Sequence, residues 1–167
     1  MEPGPIATPG LTTLVMRILE SPQSLKDFVG HEIAVTDWFP ITQEQIDRFA
    51  EVTKDQQWIH VDRERAQRDS PYGTTIAHGF LTLSLLSHLM GQALKIRAGV
   101  RMTINYGLNR VRFPAPVLAN SRIRARFAVQ SIREVPGAVE VVFHVTIEAE
   151  ANAKPCCLAE WVLRYCL

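Results

Sequence analysis

The run Asp55-Gln56-Gln57-Trp58-Ile59-His60-Val61-Asp62 sets a carboxylate and an imidazole five positions apart. Ordinary pKa values of ~3.9 and ~6.5 make the first an ionised acceptor at neutral pH and the second a proton carrier. That combination can hold and activate a water molecule. Spacing alone is a weak signal: for an isolated Asp-x4-His, a turn-capping Asp55 and a satisfied loop His60 form the commoner arrangement. A metal set of Asp55, His60 and Asp62 is a further alternative, since imidazole and carboxylate suit several divalent ions. No second His or Cys stands at helical ligand spacing and structural zinc takes four protein ligands, so no metal is assigned.

A second group, Tyr72-Gly73-Thr74-Thr75-Ile76-Ala77-His78-Gly79-Phe80, leads from a polar loop into an apolar stretch. A helix beginning there offers unpaired N–H groups and partial positive charge to an anion or a developing oxyanion. Gly79 would let a carbonyl approach the backbone closely, though close packing of the helix accounts for a glycine equally well. Ser84 and Ser87 interrupt the apolar stretch, and the ordinary reading is a bond from each hydroxyl to the carbonyl one turn earlier. Neither lies in a Gly-x-Ser-x-Gly elbow, which argues against a serine hydrolase.

These groups need elements to place them. Ile33 to Trp38 alternates as a strand, and Thr42 with Gln45 three residues on is a capping box that predicts a helix over Gln43 to Thr53. Lys54 to Thr75 reads as a long polar loop with one turn near Arg63 to Arg68. Ile76 to Leu94 predicts a helix buried nearly all round. Strands follow at Asn105 to Phe113, Arg122 to Phe127, Val139 to Ala149 and Leu158 to Tyr165, with a turn at Pro136-Gly137. The pattern is α+β, an antiparallel sheet around one central helix. Pairing two such sheets would remove an open edge, so a homodimer is expected.

The chain has 167 residues, enough for one domain with a real core. Its 18 Lys and Arg against 17 Asp and Glu create no field that would gather nucleic acid or an anionic membrane. No apolar run reaches the roughly 18 residues of a membrane span. Three cysteines without Cys-x-x-Cys spacing fit reduced thiols, and the Pro- and Gly-rich start lacks a signal-peptide pattern, so a cytoplasmic location is expected. Residues 1–24 are read as an extension whose patch Leu11 to Leu19 forms a short helix or a docking strap. Arg122, Arg124 and Arg126 alternate as a solvated strand face, so neither they nor Arg110 and Arg112 are named as phosphate ligands.

Three ordered segments, ITQEQIDRFAEVTKDQQWIHVDRERA, GTTIAHGFLTLSLL and NYGLNRVRFPAPV, resemble the MaoC-like dehydratase family. Within it the likeness is to the (R)-specific enoyl-CoA hydratases, most nearly the NodN-like branch, over residues 25–167. The resemblance implies a hotdog fold, a homodimer, and hydration of trans-2-enoyl-CoA to (R)-3-hydroxyacyl-CoA, a hydro-lyase reaction of fatty acid metabolism. It implies no cofactor, the CoA or carrier-protein thioester being the substrate. By position it makes Asp55 and His60 the catalytic pair, Gly79 the N–H that polarises the thioester carbonyl, and Ser87 a supporting serine. The usual family form is Asp-x-Asn-Pro-x-His; Gln57 and Trp58 depart from it, as in the NodN-like branch. The alternatives are a hotdog acyl-CoA thioesterase and a non-catalytic acyl-thioester-binding subunit. Retention of both Asp55 and His60 argues against the second.

Overall fold

A reciprocal capping box opens the first helix, α1 (Gln43–Thr53): the Thr42 side chain accepts from Gln45 N–H, and the Gln45 side chain accepts from Thr42 N–H. Lys54, left-handed at φ 63°, closes the helix and turns the chain toward Asp55. The computed structural model describes residues 16–150 and 152–167. The Leu11 to Leu19 patch therefore lies partly outside the described residues. Its last three form β1 (Arg17–Leu19), which pairs in parallel with β4 (Leu94–Ile96), so this part docks as a strap.

The strand expected at Ile33 to Trp38 ends at Val35 as β2 (Glu32–Val35); a further short strand, β3 (Phe39–Ile41), follows it, and the two lie end to end along one edge of β6 (Ser121–Val135). Beyond β6 the sheet continues antiparallel through β7 (Ala138–Ala149) and β8 (Cys157–Cys166) to β5 (Met102–Arg112). Gly137, at φ 73°, makes the predicted turn between β6 and β7. The period-two pattern points Val139, Val141, Phe143, Val145 and Ile147 inward, all fully buried. Each such side chain contributes about 1.5–3 kcal/mol of burial.

The helix they cover runs as α4 (Gly79–Ser84) and α5 (Leu86–Ala93), with a break at Leu85. Its α5 part touches β2 and β6 and its α4 part touches β8, so the open sheet wraps around it. Two expectations are corrected here. Ile76 to His78 is extended, because Ile76 bridges Leu118 and Ala77 N–H donates to the Val117 carbonyl, so the helix begins only at Gly79. Nor is it buried all round, for Phe80 is 69% exposed. Among the described residues no helix is long and apolar enough to cross a membrane.

On the outer face, Arg122 pairs with Glu150, Arg124 with Glu148, and Arg126 with Glu148 and Glu32, so these arginines form a solvated cross-strand ladder. Burial pushes the Cys156 thiol up to about 12 and Cys157 to about 11, which leaves both protonated and unreactive at neutral pH.

Candidate active site

The segment expected to be a loop with one turn near Arg63 to Arg68 holds two short helices, α2 (Trp58–Val61), which was not expected, and α3 (Arg63–Asp69), which lies at the expected turn. Asp62 explains both, since it ends α2 and its carboxylate accepts from Arg65 N–H to start α3. It is thereby occupied as a cap rather than as a ligand beside His60. Trp58 takes the first position of α2, where proline is favoured. The Arg65 guanidinium lies 4.4 Å over its ring.

His60 is buried on α2, and two other segments hold it. Its Nδ1 is 2.7 Å from the Ile76 carbonyl. Gln43, the first residue of α1, donates to the His60 carbonyl at 2.7 Å, and Thr75 hydroxyl donates to Gln43. Because Ile76 O can only accept, His60 Nδ1 carries the hydrogen and Nε2 keeps its lone pair. Burial holds the imidazole below its ordinary value of 6.5. The neighbouring His78 also lowers it, while the Ile76 bond and the Asp55 charge act in the opposite direction.

Asp55 follows directly on the αL residue and its side chain is 54% exposed. One carboxylate oxygen of Asp55 and one ring nitrogen each of His60 and His78 lie within 4.8 Å of one another. Two groups hydrogen-bonded to a single water at tetrahedral angle stand about 4.6 Å apart, so this spacing suits one shared water. For a metal ion the arrangement is less suited. The His60 and His78 rings are stacked, centroids 3.7 Å apart and planes 25° from parallel, so their in-plane lone pairs run side by side instead of converging.

Gly79 opens α4 next to His78. A Cβ there would lie 2.9 Å from Cδ2 and Cγ of Phe113, so any larger residue would have to displace that ring. Ser84 bonds back to the Leu81 carbonyl at 2.8 Å, the expected reading. Ser87 does not: Asn105 Nδ2 on β5 donates to its Oγ at 3.1 Å. Along this seam between helix and sheet lie a cavity of about 210 Å³ beside Leu83 and a larger one of about 480 Å³ lined by Met90, Leu94, Ile96 and Leu163. Ser87, Asn105 and Trp161 line both. Neither is lined by Asp55 or His60; Ser87, eight residues and about 12 Å of helix beyond Gly79, is the link.

Asp55, His60 and Gly79 are thus gathered by His78, which joins the first two directly and precedes the third. Sequence reasoning gave no role to His78 or Gln43. A polar residue wedged into the apolar run Ile76-Ala77-His78-Gly79-Phe80 was a signal for His78; Gln43 carried none beyond its place after a cap.

The family model for the MaoC like domain matches residues 25–151. A 3-hydroxyacyl-thioester dehydratase Z of Mycobacterium tuberculosis is 48% identical over 151 residues, 90% of this chain and 99% of that protein. A nodulation protein N of Rhizobium leguminosarum is 45% identical over 137 residues, 80% of this chain and 84% of that protein. Among solved structures an R-hydratase from Pseudomonas aeruginosa shares the fold at TM-score 0.61 and 24% identity, over 81% of this chain and 79% of that one. The expected hotdog layout is therefore the fold of this protein, and the chain belongs to the MaoC-like domain family.

Proposed function

We propose that the protein is a hydro-lyase that reversibly hydrates trans-2-enoyl thioesters to 3-hydroxyacyl thioesters. The (R) configuration and CoA as carrier are expected from its resemblance to the (R)-specific hydratases. The observation that carries this reading is the buried His60, with Nδ1 tied to the Ile76 carbonyl, within 4.8 Å of the Asp55 carboxylate. The M. tuberculosis relative, whose name describes dehydration of 3-hydroxyacyl thioesters, supports it.

In the hydration direction Asp55 and His60 hold one water. Its oxygen bonds to the β-carbon as one proton leaves it for the dyad, and a proton is delivered to the α-carbon. Negative charge that builds on the thioester oxygen is stabilised by Gly79 N–H, which has no acceptor within its own helix. Ser87 supports the site further along the helix, and the two cavities on the seam suit an acyl chain, their walls being more apolar than polar. The test is incubation with crotonyl-CoA. Loss of enoyl absorbance with no free thiol supports hydration, and thiol release would identify a thioesterase instead.

His60 must keep its Nε2 lone pair to act as base. Because its pKa is lowered in the folded protein, the acid limb of kcat/KM is expected at a pH below the ordinary 6.5 of histidine. A pH series of initial rates checks this, and a limb at or above 6.5 would contradict it.

The subunit is proposed to act as a homodimer through β5. This strand forms an edge of the sheet, and Met102, Ile104, Tyr106 and Leu108 along it are all exposed. Sedimentation should give twice the 18.8 kDa of one chain, and Ile104→Lys should lower it to one. A wild-type monomer at micromolar concentration would reject the dimer.

A further inference from the structure

We infer that His78 is a positioning residue of the hydration site, holding Asp55 through its backbone carbonyl and His60 through a stacked ring face. The inference rests on the reading of Asp55 and His60 as the water-activating pair. His78 is 3% exposed and lies between two rings, His60 at 3.7 Å and Phe49 at 5.0 Å. Its Nε2 is 3.0 Å from the Asp55 carbonyl and 3.9 Å from the Asp55 carboxylate. A carbonyl only accepts, so Nε2 carries the hydrogen. Nδ1 is buried and has no hydrogen-bond partner among the described residues, so a proton placed there would have no acceptor. His78 therefore shuttles no proton. It works through shape and through its neighbour.

Each contact serves a separate need. The bond to the Asp55 carbonyl ties down a residue that follows a helix end and is otherwise exposed, where a shift of 1 Å costs up to about 10²-fold in rate. The stacked face fixes the plane in which the His60 lone pair lies. The second imidazole also lowers the His60 pKa, which keeps that ring neutral with its lone pair free. The charged or titratable groups facing His60 are Asp55 and His78; the Asp47–Arg63 pair stands one step away, through Gln43.

The experiment is imidazole ¹⁵N NMR of the full chain, with a pH titration, in wild type, His78→Phe and His78→Gln, together with crotonyl-CoA kinetics. The wild type should show His60 protonated on Nδ1 and His78 on Nε2. His78→Phe keeps a stacked ring but removes the second imidazole and the Asp55 bond. It should raise the His60 titration midpoint and lower kcat up to about 10²-fold while KM changes little. His78→Gln, which can still donate to Asp55, should recover part of kcat. An unchanged His60 midpoint and tautomer in both variants would overturn the inference, and either variant suffices if the other fails to fold. The NMR readout needs no turnover, so a wild type that fails to hydrate crotonyl-CoA would count against the proposed function and leave the role of His78 separately decided.

Discussion

Asp55→Asn and His60→Gln are each expected to hydrate crotonyl-CoA at least about 10³-fold more slowly than wild type, general acid–base catalysis being typically worth 10²–10⁴. Asparagine matches aspartate in shape but has lost the charge that accepts a proton from water. At a side chain 54% exposed, the exchange should cost the fold little. Glutamine keeps a neutral polar side chain of similar reach, yet it has no titratable lone pair. Loss of rate without loss of secondary structure, measured by circular dichroism beside the kinetics, is the expected pairing. Retention of more than a tenth of wild-type kcat by either variant would remove the assignment. The non-catalytic reading would then gain ground.

The second large effect is expected at Gly79. In Gly79→Ala the N–H remains, and what changes is space, because the new methyl meets the Phe113 ring at 2.9 Å. Overpacking of this kind costs about 1–3 kcal/mol of stability. At a helix start Cβ also points back toward the N-terminus, over the approach to the N–H. Loss of one such donor is worth about 10²–10³ in rate, so kcat/KM should fall by roughly 10². Pairing Gly79→Ala with Phe113→Ala separates the two readings of this glycine. The double variant should regain stability, because the clash is gone, while its rate stays low, because the methyl still covers the N–H. Recovery of both would mean that Gly79 serves packing alone.

Regular elements were legible wherever one residue pattern governed one face. The capping box at Thr42 and Gln45 marked α1 correctly, and period-two alternation marked β6, β7 and β8. Misreadings fall where tertiary contacts overrule local pattern. Ile76 and Ala77 have helical apolar spacing but are pulled extended by Val117 and Leu118, more than thirty residues away. The α2 helix is too short for periodicity to reveal, while α3 lies on the turn expected near Arg63 to Arg68, and a single shared cap sets both. Ser87 turns to Asn105 because β5 brings an amide within reach, which no local spacing encodes. For the site, residue types suggested Asp55 and His60, but spacing alone favoured a structural pair. The stacking of His78 on His60 is a contact across 18 positions that only the folded chain reveals.

The imidazole at position 60 rides on four residues of helix, far too few to be stable alone. Gln43, Thr75 and Ile76 hold it from outside that segment, the first from the start of α1 and the other two from the stretch that leads into the central helix. A designer who moved only residues 55 to 62 into another scaffold would carry over the letters of the site without its grammar. The smallest portable unit includes the start of α1 and the extended entry to the central helix. In this protein, reactivity is a property of the tertiary fold before it is a property of any peptide.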